Sequence, residues 1–195
     1  MLKLAQSRLR GFSLVELLVV VAVLGLVIMI GLPNISAWLQ NTQIRNSAEA
    51  SISGLQFARG EALRRNRTVR FNLVDALTAS CNLAATGPNW IVSMADPTAN
   101  CGAAPSDTVD PFILQKRSNQ EGSPSVVLAA SATAVTFNGL GAAANTLQVD
   151  FSHYSGANCQ TAGGPNRCLR VVVSSSGSVR MCDPAVTDTT DPRAC

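Results

Sequence analysis

The feature that most constrains this chain is an uninterrupted apolar run from Leu17 to Leu32, approached through Gly11-Phe12-Ser13-Leu14-Val15-Glu16. The run holds no charge and no strongly polar group, so any fold must bury it against other apolar matter or give it to lipid. Read as helix from Phe12 to Leu32 at ~1.5 Å per residue, the stretch is roughly 31 Å long. A bilayer core is roughly 30 Å thick, so the segment can cross a membrane once. Glu16 sits one turn inside this segment. A carboxylate there costs on the order of 2.5 kcal/mol or more unless a partner neutralises it, which marks the position as functional rather than as part of a plain anchor. A secretory signal peptide fits poorly. It needs a shorter apolar region and then a small-x-small cleavage site, whereas Gly31-Leu32-Pro33-Asn34-Ile35-Ser36-Ala37 leads straight into helical patterning.

Beyond the apolar helix start roughly 150 residues remain, enough for one compact domain with its own core. The formal charge of +3 is misleading, because Lys3, Arg8 and Arg10 all precede Gly11. Without them the 15 basic residues fall to the number of acidic ones, 12. Basic residues before the apolar run hold that end in the cytoplasm and send the rest of the chain to the periplasm or outside. All six cysteines, Cys81, Cys101, Cys159, Cys168, Cys182 and Cys195, lie in the part so exported. An even count there argues for disulfides, and of the 15 pairings that six cysteines allow, sequential pairing closes three local loops. Metal spacing is absent: no CxxC occurs and the sole histidine is His153. Nothing around His153 resembles a nucleophile elbow, and Gly139-Leu140-Gly141 lacks the third glycine and the strand–helix setting of a nucleotide fingerprint. No enzyme activity, cofactor or metal is expected.

From Phe12 a single helix is predicted to about Asn66, loosened or kinked at Pro33. Past Pro33, Ile44, Ala48, Ile52, Leu55, Ala58 and Ala62 recur at three- and four-residue steps, with Gln40, Asn41, Arg45, Glu49, Gln56 and Arg59 on the other side. The helix end is arginine-rich: Arg59, Arg64, Arg65, Arg67 and Arg70 face only Glu61. That charge complements the helix dipole or forms a subunit or anion contact. After Phe71 the helical period gives way to short β-rich runs between Gly, Pro, Ser and Asn clusters. Strands are predicted at 68–74, 90–95, 112–117, 125–130, 134–138, 146–151, 168–174 and 178–182, with 76–110 a long excursion closed by Cys81 and Cys101. Leu169, Val171 and Val173 alternate with Arg170, Val172 and Ser174, and Ser175-Ser176-Gly177 turns into a returning strand. Cys182 to Cys195 reads as a loop held by its own disulfide, worth about 3 kcal/mol in the chain-entropy model. The expected fold class is α+β, a "lollipop" of one long N-terminal helix carrying an antiparallel β-sandwich-like head. Its parts are a leader (1–11), an apolar half-helix (12–33), an amphipathic half-helix (34–66) and a β-rich head (67–195).

Gly11-Phe12-Ser13-Leu14-Val15-Glu16-Leu17-Leu18 after a short basic leader resembles the processing signal of type IV pilins and type II secretion pseudopilins. Leu55-Gln56-Phe57-Ala58-Arg59-Gly60-Glu61-Ala62-Leu63-Arg64-Arg65-Asn66 before Thr68-Val69-Arg70-Phe71 is similar to the GspH/FimT branch of that superfamily, matching at Leu55, Ala58, Arg59, Glu61, Ala62 and Asn66. The resemblance implies that a prepilin peptidase cuts after Gly11 and N-methylates Phe12, and that Glu16 guides subunit docking. It implies partners among other minor and major pilins and an inner-membrane assembly platform. The implied localisation is a single inner-membrane pass with the head in the periplasm before assembly, and the fibre or cell surface after it. The implied function is that of a FimU/FimT-like minor pilin that primes pilus assembly and sits at the tip. Two other readings remain: a GspH-like minor pseudopilin of type II secretion, and a FimT-like DNA-binding pilin. The last would use a basic patch of Arg167, Arg170, Arg180 and Arg193, although Gly177-Ser178-Val179-Arg180 lacks the first arginine of the G-R-x-R-like hairpin.

Overall fold

A computed structural model describes residues 12–154 and 159–195, with the backbone but not the side chains of 29–34. Gly11 and the rest of the leader lie outside the described residues. Helix α1 is Leu14–Arg65 and runs without interruption through position 33. Its first turn closes with the Leu17 N–H donating to the Ser13 carbonyl at 3.1 Å. Its end is a Schellman cap. Asn66 takes a positive φ of 48°, its N–H donates to Leu63 O, and the Arg67 N–H donates to Ala62 O. Asparagine suits this place because it tolerates the left-handed region better than most side chains.

The described residues fall into two compact units divided between Trp38 and Leu39. In the first, every side chain from Phe12 to Ile28 is exposed. Among the described residues no helix is long and apolar enough to cross a membrane. The predicted span continues through 29–34, whose side chains lie outside the described residues.

The second unit holds the rest of α1 and two four-stranded antiparallel sheets. Strands β1 (Val69–Val74), β2 (Asn89–Ser93), β3 (Ile113–Arg117) and β5 (Ala134–Phe137) form one sheet in the order β3-β2-β1-β5. Strands β4 (Val126–Ala130), β6 (Leu147–His153), β7 (Leu169–Val173) and β8 (Val179–Cys182) form the other, in the order β4-β6-β7-β8. The expected strand positions hold to within a residue or so at most ends. β6 is longer than expected because its pairing with β4 carries on to Val126↔His153. Ile44, Ala48, Leu55, Ala58 and Ala62 of α1 pack with Phe71, Phe137, Val149, Phe151, Val171 and Val173 in one core. Close contact between helix and sheet needs Gly54, since a Cβ there would meet the Phe71 and Trp90 rings at 2.9 Å.

The loops on either side of β2, 75–88 and 94–112, cover the far face of the first sheet. Val74, Ile91 and Ile113 from that face pack with Cys81 and Cys101 as a second apolar cluster. Asn72, fully buried beneath it, donates from Nδ2 to Ile91 O at 3.2 Å and to Ser93 Oγ at 3.0 Å. The cysteines pair as Cys81–Cys101, Cys159–Cys168 and Cys182–Cys195.

Candidate assembly surfaces

Phe12, 84% exposed, stands two residues before α1, and Glu16 lies in the first turn of the helix. A carboxylate is favoured at that end because the unpaired helix N–H groups carry partial positive charge. Leu14, Val15, Leu17, Leu18, Val19, Val20 and Val21 are all exposed, so the apolar surface surrounds the helix rather than forming a stripe. A helix that is apolar all round is stable only when something covers it.

The four arginines read from the sequence as a basic patch resolve into three separate ion pairs and one contact to main-chain oxygens. Arg167 Nε donates to Asp183 Oδ2 at 2.5 Å, and its backbone N–H reaches Asn41 Oδ1 on α1 at 2.7 Å. Arg170 makes a two-point contact with Asp150 across β6 and β7, at 2.6 and 3.0 Å. Arg193 grips Asp191 in the same way, its closest contact being 2.6 Å. Arg180 donates to Ala194 O at 3.0 Å and to Cys195 O at 2.8 Å, and so ties β8 to the stapled tail. Each of the four holds the chain's own structure. Asp191 is held down to about 2 chiefly by its hydrogen bond from Arg193. His153, the other residue considered for chemistry, stacks on Tyr154 with ring centroids 5.3 Å apart.

At the other end of α1, residues far apart in sequence meet. Arg59 Nε donates to Gly141 O at 3.1 Å, across 82 residues. Gly139 lies against the backbone of Asn66, and the Cβ position of Gly141 is 3.2 Å from both Arg59 Nε and Leu63 Cδ2. Gly177, at φ 78° in the β7–β8 turn, is so close to Gly141 O that a Cβ would overlap it. The helix end is therefore clamped to one turn from each sheet. Arg59 belongs to this clamp and not, as its sequence position suggests, to the free polar side. The sequence signals for it were the glycines in the two turns, which acquire this meaning only once the turns are adjacent.

Next to the clamp, Glu61 accepts from Arg64 at 2.9 and 2.7 Å and from Arg65 at 2.7 Å. The Arg64 hydrogen bond, helped by Arg65 and opposed by partial burial, lowers the Glu61 carboxyl from its ordinary value near 4.5 to about 2. A depressed folded value gives stability that is complete above about pH 4.5 and is lost as pH falls toward about 2. Allowing for solvent around Arg64, the contribution is about 1 kcal/mol. Glu61→Gln is expected to be about that much less stable at pH 7 and equal to the parent near pH 2. Denaturant titrations at both pH values check this. A constant gap between the two proteins would refute it.

Residues 47–177 match the family described as type II transport protein GspH, and residues 6–32 match the prokaryotic N-terminal methylation motif. No curated protein matches the chain. Among solved structures it is similar to the type IV minor pilin FimU of Pseudomonas aeruginosa, with 13% identity over 74% of this chain and 91% of that one, TM-score 0.48. It is also similar to the minor pseudopilin EpsH of the Vibrio cholerae type 2 secretion system, with 9% identity over 74% and 99%, TM-score 0.47. Similarity to GspH of E. coli is 15% over 76% and 93%, TM-score 0.43.

Proposed function

The chain belongs to the family of the type II transport protein GspH and carries the N-terminal methylation motif, and from that premise we propose that it is a minor pilin of a type IV pilus. Membership makes it a pilin-class subunit of a pilus or a type II secretion pseudopilus. The finer reading is that it primes fibre assembly and occupies the tip. The assembly role rests on one observation: from Phe12 to Ile28 the start of the chain and of α1 is exposed on every side and apolar, with a single carboxylate at Glu16. In the membrane, lipid covers this surface; in the fibre, the apolar helices of other pilins replace lipid. Glu16 then lies in a low-dielectric bundle and pairs with the methylated amine of a neighbour's Phe12. That pairing fixes axial register, because a mis-set subunit leaves a buried charge alone.

The pilus side is supported by the resemblance of the Cys182–Cys195 tail to the FimU/FimT side of the superfamily; the disulfide itself suits any head in an oxidising compartment. The family name favours the pseudopilus reading. Deleting the gene separates them: loss of surface fibres with secretion intact supports the pilus, and the converse supports secretion. DNA binding through Arg167, Arg170, Arg180 and Arg193 is disfavoured, because phosphate would have to compete with Asp183, Asp150, Asp191 and two main-chain oxygens.

Processing is tested at Gly11. A side chain at the residue before the cut should block the peptidase, so Gly11→Ala is expected to leave only the unprocessed form. Immunoblotting with intact-mass analysis reads the result: the parent should yield a mature chain beginning at N-methylated Phe12, and a parent chain that begins at any other residue would reject this cleavage site.

A further inference from the structure

We propose that the end of the second unit, formed by the last turns of α1 and the 138–142 turn, docks onto an acidic protein surface with an apolar socket, presented by another subunit of the same assembly. The proposal rests on the pilin reading and goes beyond it by placing the contact and giving its chemistry. Charge is the first observation. Arg59, Arg64, Arg65 and Arg67 gather at this end, and among the described residues the carboxylates paired with them are Glu61 and Asp107, Asp107 lying 3.6 Å from Arg65. Arg59 spends its hydrogen bond on a neutral carbonyl, and among the described residues no carboxylate pairs with Arg67. The helix dipole offsets only about half a unit charge at its C-terminus. Cations thus exceed anions here, whereas Arg167, Arg170 and Arg193 are each matched by one aspartate.

The second observation is apolar. Leu140 is 84% exposed at the tip of its turn, held between Gly139 against Asn66 and Gly141 against Leu63, itself 49% exposed. Two exposed leucines beside Arg59, at a helix end that also carries Arg64 and Arg67, match an apolar socket rimmed with carboxylates. A nucleic acid would use the cations and gain little from the leucines. The third is Gly60, which is helical and exposed with nothing within 4 Å of its Cβ position. Glycine is less favourable than alanine inside a helix, and among the described residues no contact requires it there. Gly54, by contrast, is required by Phe71 and Trp90. The bare helix at Gly60, next to Leu63 and Arg64, leaves room for a partner's main chain.

The test places a photo-crosslinking amino acid at Leu140 in the full chain, in cells that assemble it, with a second variant carrying it at Leu18. Support requires a Leu140 adduct to a protein peptide that mass spectrometry places beside Asp or Glu. Arg67→Glu should lower that adduct at least about tenfold, since like charges at an interface cost several kcal/mol. Changing the partner's carboxylate to lysine should restore it, and Gly60→Trp should lower it through bulk alone. The Leu18 adduct, which reports packing of the apolar helix, should survive Arg67→Glu and so shows that this variant still folds and assembles. An adduct to nucleic acid, no adduct at Leu140, or one indifferent to Arg67→Glu overturns the proposal. A Leu18 adduct without one at Leu140 rejects this surface alone. Failure of both rejects the pilin reading itself.

Discussion

Gly177→Ala is expected to destabilise the second unit by about 4 kcal/mol, and Gly163→Ala by only about 1 kcal/mol. The two glycines share a φ of 78°, so the backbone strain of a left-handed alanine is common to both. They differ in what the new methyl meets. At Gly163 nothing lies within 4 Å, whereas at Gly177 the methyl would overlap Gly141 O and stand 3.3 Å from Arg59 Nε. Neither neighbour can yield easily. The oxygen is main chain, and Arg59 is fixed by its bond to that same oxygen. Relief requires parting the β7–β8 turn from the 138–142 turn, which loosens the helix end from both sheets. At about 2–4 °C per kcal/mol for a unit of this size, Tm should fall by about 8–16 °C for Gly177→Ala and by a few degrees for Gly163→Ala. Thermal melts of the full chain in detergent, followed by near-ultraviolet circular dichroism, measure both. Equal losses would mean that the clamp does not hold the helix end.

The same junction shows what could be read from the sequence and what could not. The helix face was legible because Ile44, Ala48, Leu55, Ala58 and Ala62 repeat at helical spacing and one core covers them all. The β7 alternation was legible for a similar reason: Leu169, Val171 and Val173 meet the core while Arg170 and Val172 do not. Local periodicity reports burial. It does not report partners. Arg170 and Asp150 are 20 residues apart, Arg167 and Asp183 are 16 apart, and Arg59 and Gly141 are 82 apart. Four arginines near one end of a sequence therefore looked like a patch, although register and tail closure had assigned each one a partner. The excursion was visible as a loop with two cysteines. β2 lies inside it, and the loops on either side of β2 cover Asn72, Val74 and Ile91; that work depends on the first sheet having a second buried face, which β1 and β2 alone could not reveal.

Replacing Glu16 by alanine is expected to leave the second unit folded and to cut incorporation into fibres by a factor of 100 or more. In the single chain Glu16 is exposed in the first turn of α1, so its removal takes away no contact within the second unit. The cost arises on assembly. On the docking role proposed above, apolar helices of other subunits surround Glu16 and leave it and the methylated amine of a neighbouring Phe12 as the charges available to each other, so removing one leaves the other buried alone. Breaking such a pair costs about 3–5 kcal/mol, equivalent to a factor of about 10² to 5 × 10³ in occupancy. Glu16→Gln tests the same point at constant size, because an amide fills the space and can hydrogen-bond but cannot neutralise the amine. It should fall between the parent and alanine. Sheared-fibre yield per membrane-bound subunit measures incorporation, and near-ultraviolet circular dichroism of the detergent-extracted chain controls for folding. If both variants assembled as well as the parent, Glu16 would have no docking role, and the register of the bundle would have to come from the apolar side chains of Phe12 to Ile28 alone.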